Sequence, residues 1–177
     1  MRRDPSGHER TFSDEEIIVS KTDRQGRITY ANDVFLRISG YTEAEVLGQP
    51  HSLIRHPDMP RCVFKLLWDT IEAGREIFAY VVNMAVNGDH YWVLAHVTPT
   101  FAASGEIVGF HSNRRTPDRA ALATIEPLYR ELLAEERRYS TKADQIAHST
   151  AALTSVLTRK GIPYDELVFA LAGSTGP

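Results

Sequence analysis

The stretch Arg55-His56-Pro57-Asp58-Met59-Pro60 decides how this chain is read. Pro57 and Pro60 fix two φ angles and remove two amide donors. The residues before them, His56 and Met59, are pushed toward extended conformations. The loop is therefore stiff and non-helical, and it carries a cation, an imidazole and a carboxylate together. Pro60 suits the first position of a helix. The spacing Phe64, Leu67, Trp68, Ile71 predicts that helix, and Gly74 predicts its end. Arg55, His56 and Asp58 thus arrive at one end of a helix that also bears a tryptophan. Spacing alone also accommodates a plain turn with an Asp or Met cap.

Upstream of the loop, Ile17-Ile18-Val19, Asp23-Arg24-Gln25-Gly26 and Ile28-Thr29-Tyr30 read as strand, turn, strand. Asn32 is a good cap for a short helix with Phe35 and Ile38 on its apolar stripe, ending at Gly40. Thr42-Glu43-Ala44-Glu45 matches the capping-box pattern, and Gly48 stops the helix it opens. Downstream, Ile77 to Met84, Tyr91 to Thr98 and Ile107 to Asn113 are three β-rich runs. Asn87-Gly88 between the first two is a hairpin signal. Two strands, short helices and a three-stranded meander make an α+β domain. Period-two alternation assigns Ala79, Val81, Asn83, Val93, Ala95, Val97, Ile107, Gly109 and His111 to the face toward the helices. Asn83 and His111 are its polar members, and a buried amide or imidazole needs a hydrogen-bond partner. Either the backbone supplies one or a ligand in the cavity does. The other face, with Phe78, Tyr80, Val82, Trp92, Leu94 and Phe110, is too apolar to stand open to water. The N-terminal arm, the C-terminal helices or another chain must cover it.

The organisation expected is a flexible N-terminal arm (1–13), the α+β domain (14–116) and a C-terminal helical extension (117–177). In that extension Glu126-Pro127 is expected to break or restart a helix, and Thr141 or Ser140 to cap the next one. Bulk properties restrict the function. At 177 residues with net charge −3 and no basic stripe, the chain offers no electrostatic case for nucleic acid. The single Cys62 excludes an internal disulfide and suits a reducing compartment. No apolar run reaches bilayer length, and residues 1–13 lack a signal-peptide core. A cytoplasmic protein without membrane insertion is expected. No nucleophile motif or metal-ligand spacing occurs, so catalysis is not expected.

Particular motifs go further. Tyr30-Ala31-Asn32-Asp33, Ser39-Gly40-Tyr41-Thr42, Gly48-Gln49-Pro50-His51, Arg55 through Pro60, Trp68 and Asn87-Gly88-Asp89-His90-Tyr91-Trp92-Val93 resemble the FAD-binding PAS domain of Aer-type aerotaxis sensors. The likeness covers about residues 12–135, including Glu126-Pro127-Leu128-Tyr129. It implies the PAS fold, a five-stranded antiparallel sheet with short helices on one face, followed here by C-terminal helices. It also implies that Arg55, His56, Asp58, Trp68 and Asn83 help hold FAD. His111 is placed by position where light-sensing flavin PAS domains carry a glutamine facing the ring. Aer-type sensors continue into a membrane segment and a methyl-accepting signalling helix, which this sequence does not show. They also carry basic residues where this chain has Val82, Met84, Ala85 and Val86. The run Ile77 to Met84 and the ending Gly161 to Glu166 are more similar to CetB-type energy-taxis proteins, in which a separate soluble PAS chain signals through a partner. The expected partners are therefore a methyl-accepting chemotaxis-type transducer and a second copy docked on the apolar outer face. The alternatives to FAD redox sensing are a haem gas sensor, with His56 or His111 as axial ligand, and a cofactor-free interaction module.

Overall fold

In the computed structural model, which describes residues 4–173, strands β1 (Ile18–Asp23) and β2 (Ile28–Ala31) meet at a turn built by one carboxylate. Asp23 Oδ1 accepts from the amides of Gln25 and Arg27, both at 2.9 Å. Helix α1 (Asp33–Ser39) starts on Asn32, whose Oδ1 accepts from Phe35 N and from Val19 N, each at 3.0 Å. The cap therefore also ties the helix to β1. Helix α2 (Glu43–Val46) begins as the capping box requires, with the Glu45 carboxylate accepting from Thr42 N at 2.9 Å. A single 3-10 turn (His51–Ile54) leads into the stiff loop, and helix α3 (Arg61–Glu72) starts directly after Pro60.

Strands β3 (Ile77–Met84), β4 (His90–Phe101) and β5 (Ile107–Arg115) complete one antiparallel sheet in the order β2-β1-β5-β4-β3. This is the α+β architecture expected from the sequence. The small inner residues Ala79, Val81, Val93, Ala95 and Val97 are buried, together with Phe35, Val63 and Ile71 from the helices.

Strand β5 is turned over relative to expectation. Val97 pairs with Ser112, Ala95 with Arg114, and Ser20 with Ser112, so Phe110, Ser112 and Arg114 share the inner face. His111 stands opposite Thr98 and Lys21, on the outer face, away from Asn83. A register irregularity between Thr100 and Phe101 is the cause: one residue of slip exchanges the two faces. Gly109 is needed at the turned-over strand because a Cβ there would lie 2.2 Å from the Thr22 carbonyl oxygen.

The chain's own C-terminus covers much of the apolar outer face. Helix α4 (Arg119–Glu136) sets the Tyr129 ring 5.9 Å from Trp92, and the Tyr129 hydroxyl donates to the Tyr80 carbonyl at 2.6 Å. Helix α6 (Tyr164–Ala172) sets Phe169 4.9 Å from Phe78. The apolar surface that motivated a homodimer is thus occupied by the same chain. Helix α4 runs through Pro127 without breaking. Pro127 and Ala123, whose carbonyl would otherwise have accepted the missing hydrogen bond, both lie on the exposed side of the helix. Helix α5 (Lys142–Lys160), capped by Thr141, packs against α3 and α4. The arm expected to be loose is fastened at residues 6–10 along the β3–β4 hairpin. Ser6 N donates to Gly88 O at 2.9 Å and Arg10 N to His90 O at 2.7 Å. Asp89 accepts from Ser6, Arg10 and Asn87, which hold its carboxyl well below the usual range.

Candidate functional site

Between the inner sheet face and α3 lies a cavity of about 410 Å³, within the roughly 300–1,000 Å³ of small-molecule sites. Its apolar walls are Val81, Ala95 and Val97 from the sheet, with Leu67, Trp68 and Ile71 from α3. Small side chains at Ala95 and Val97 come from the sheet alternation, and they leave the volume that larger residues would fill. Trp68 stands edge-on to Phe110, at 5.4 Å and 89°. It abuts Gly26 so closely that a Cβ there would come within 2.9 Å of the indole.

Four buried polar atoms on this wall have no hydrogen-bond partner among the described residues: Thr22 Oγ1, Asn83 Nδ2, Ser112 Oγ and Arg114 Nη1. Buried polar groups are normally paired, and each orphan costs about 1–3 kcal/mol. A ligand with several acceptors along an otherwise apolar body would satisfy all four. The other unpaired atoms found, Tyr80 Oη and His111 Nε2, belong to outer-face residues.

Arg114 is the charged member. It is 3% exposed, and its Nη2 lies 2.8 Å from Ser20 Oγ and 2.6 Å from His51 Nε2. Its guanidinium also lies 5.8 Å from the Phe35 ring. None of these contacts is a carboxylate. Burial pushes its pKa down to about 10, which leaves it a cation at neutral pH. Burial and the Arg114 charge together hold His51 at about 3, so its imidazole is neutral.

The sequence-predicted residues divide among three places. Trp68 and Asn83 line the cavity. Arg55 is joined to Asn83 by an isolated antiparallel bridge and lines both the cavity and a neighbouring polar groove of about 670 Å³. Its guanidinium stacks 4.1 Å from the Phe64 ring and donates to Met59 O, and burial chiefly lowers its pKa to about 10. His56 lines the groove rather than the cavity. Its Nδ1 accepts from Asp58 N at 3.1 Å, its ring meets His90 at 5.8 Å, and burial lowers its pKa. Asp58 is exposed and faces Arg137, 3.4 Å away, at the edge of a third hollow. His111 belongs to none of these, because of the turned-over strand. Arg114, His51, Ser20 and Ser112 were not singled out as site residues from the sequence. Pairing of β5 with Ile18 and Ser20 of β1, rather than alternation within β5, is the signal that finds them.

The cavity and the groove share Ser52, Arg55 and Arg61. A ligand with a flat apolar head and a polar, anionic tail fits this pair of spaces. The imidazole on the cavity wall, His51, has its Nε2 engaged by Arg114, and His56 has its Nδ1 engaged by Asp58. His56 and His111, the two histidines a haem reading calls on, both stand outside the cavity lining.

A family profile described as PAS fold matches residues 14–113. The Escherichia coli (strain K12) aerotaxis receptor is 43% identical over 123 residues, covering 70% of this chain and 24% of that protein. The nitrogen fixation regulatory protein of Klebsiella pneumoniae is 30% identical over 99 residues, covering 56% of this chain and 20% of the other. The chain thus spans about a quarter or less of the length of these relatives. The dark structure of the blue-light photoreceptor Aureochrome1 LOV superposes with a TM-score of 0.54 at 24% identity, covering 67% of this chain and 86% of that one.

Proposed function

Because this chain belongs to the PAS family, we propose that it is a flavin-binding sensor, holding FAD in the cavity beneath α3 and reporting redox state to a chemotaxis-type transducer. The observation that carries this reading is the set of unpaired polar atoms on Thr22, Asn83, Ser112 and Arg114 around an apolar hollow. A flavin ring matches it: flat and apolar along most of its outline, with carbonyl and nitrogen acceptors along one edge. Asn83 and Arg114 would donate to that edge, and Trp68 would pack beside the ring. Arg55, aided by Arg61 and His56, would meet the phosphates and ribityl chain in the groove. The groove favours a dinucleotide over a mononucleotide, since a shorter ligand leaves its cations unused.

Bound flavin supplies an electron-accepting ring whose edge changes protonation with redox state. Asn83 and Arg114 then do the sensing. An amide that donates in one state and loses its acceptor in the other must move or stay unpaired, and Asn83 sits on the strand that α6 covers from the other side. Similarity to the aerotaxis receptor supports energy taxis as the setting and a transducer as the partner.

The test is an absorbance scan of freshly purified protein, oxidised and then reduced, with the released cofactor identified by chromatography. Flavin bands that bleach on reduction, and release of FAD, are expected. A colourless protein that takes up no added FAD overturns the reading, as does a Soret band.

A further inference from the structure

Helix α3 has no cap of its own, because Pro60 precedes it and offers no side-chain acceptor. The missing acceptor comes from the far end of α4. Glu136 Oε1 accepts from Arg61 N at 2.6 Å and lies 3.3 Å from Cys62 N. The Glu136 side chain is 5% exposed. A carboxylate on the free amides of a helix start is favourable both as a hydrogen-bond acceptor and against the helix dipole. This helix start follows the proline loop that carries Arg55 and His56.

A second tie lies beside the first. Arg61 Nε donates to Gln145 Oε1 at 2.8 Å, and Gln145 Nε2 donates to the Tyr139 carbonyl at 2.9 Å. Gln145 belongs to α5, which lies on α3. Lys142 and Ile146 of the same helix form part of the cavity wall, and Glu136 and Gln145 form part of the groove wall. Arg137 and the first turn of α5 therefore lie beside the ligand space, and the groups that hold them there line the same groove as Arg55.

We propose that the α4–α5 hairpin is a clasp on the ligand pocket, kept shut by the Glu136 carboxylate on the start of α3, and that its docking is linked to pocket occupancy. The linkage rests on the functional reading above; the clasp does not. A ligand that touches α5 binds the shut form better than the open one, so binding must favour docking and docking must favour binding to the same degree. Redox-dependent changes at the pocket then reach α5 through Glu136 and the start of α3, a route separate from the sheet.

Hydrogen exchange of the full chain tests this, read at 61–65 and 142–160 with β3–β5 as the internal control for folding. In ligand-free protein, Glu136→Ala is expected to raise exchange at 142–160 by about tenfold or more, leaving β3–β5 unchanged. Glu136→Gln, which keeps a carbonyl acceptor, is expected to give a smaller rise and serves if the alanine variant fails to fold. Added FAD is expected to slow exchange at 142–160 in the wild type. Ligand-free Glu136 variants that exchange like wild type at 142–160 overturn the clasp. FAD that binds by absorbance yet leaves 142–160 unchanged overturns the linkage. A chain that takes up no FAD overturns the functional reading and the linkage with it, while the ligand-free comparison still decides the clasp.

Discussion

Arg114 Nη2 lies 2.6 Å from His51 Nε2, inside the pocket wall. A guanidinium has only donors, so His51 Nε2 accepts and the neutral ring carries its proton on Nδ1. Ser20 Oγ, which accepts from Arg114 at 2.8 Å and lies 3.2 Å from the same ring nitrogen, closes the triangle. The trio gives the cavity a fixed positive end whose charge does not depend on histidine protonation at neutral pH.

A pH dependence follows. Folded His51 titrates at about 3, whereas an unfolded histidine titrates near roughly 6.5. Between those values the unfolded chain binds a proton that the folded chain refuses, so stability falls as pH falls through that window. Above it the contribution is constant. His56, whose pKa burial also lowers, acts in the same direction. His51 is only partly buried where it lines the cavity, so solvent screening reduces its effect. Urea unfolding at about pH 7 and about pH 5 should show wild type losing roughly 1 kcal/mol more than His51→Gln across that interval. Equal losses would mean that His51 accepts a proton freely in the folded state.

Asn83→Ala separates binding from folding. The Asn83 Nδ2 has no partner among the described residues, so its removal deletes an orphan rather than a bond. Ligand-free stability should hold or rise, by up to about 1–3 kcal/mol, while FAD affinity should fall about fivefold, the worth of one hydrogen bond. Fluorescence titration alongside thermal melting reads both. A large loss of stability with unchanged affinity would make the amide a structural group.

What the sequence disclosed and what it concealed have separate causes. The loop Arg55 to Pro60, Trp68 and Asn83 were legible because proline stiffness, helical spacing and strand alternation are local signals, and each holds over the residues concerned. The inward face of β5 was not. Ile107, Phe110 and Val108 are apolar on both alternations, so the pattern within the strand is undecided. The irregularity at Thr100 and Phe101 then reverses the phase carried over from β4. Arg114 was hidden and His111 promoted by that single slip. Pro127 misled in a similar way: its effect on a helix depends on whether the orphaned carbonyl reaches water, which only the packing of α4 decides.

Gly26→Ala probes the rim of the cavity. Gly26 has φ +76°, a left-handed conformation that alanine adopts at a cost, and its new Cβ would meet Trp68 Cη2 at 2.9 Å. The indole, part of the cavity wall, must shift. The expected result is a loss of about 1–2 kcal/mol, a shifted tryptophan emission and weaker flavin retention. Unchanged emission would show that Trp68 does not rest on this turn.

Tyr129→Phe isolates the hold of α4 on the outer face. The hydroxyl donates to the Tyr80 carbonyl at 2.6 Å in a fully buried setting, and burial pushes its pKa well up, so it stays protonated and donating. Phenylalanine keeps the ring against Trp92 and removes only that donor. Stability should fall by about 1–2 kcal/mol, with the Tyr164 hydroxyl, 3.3 Å away, also losing its neighbour. The cavity is on the opposite side of the sheet, so bound flavin should keep its oxidised spectrum. A drop in stability with an altered flavin spectrum would instead show that the sheet transmits strain between its two faces, while no drop at all would mean that water replaces the hydroxyl beneath α4.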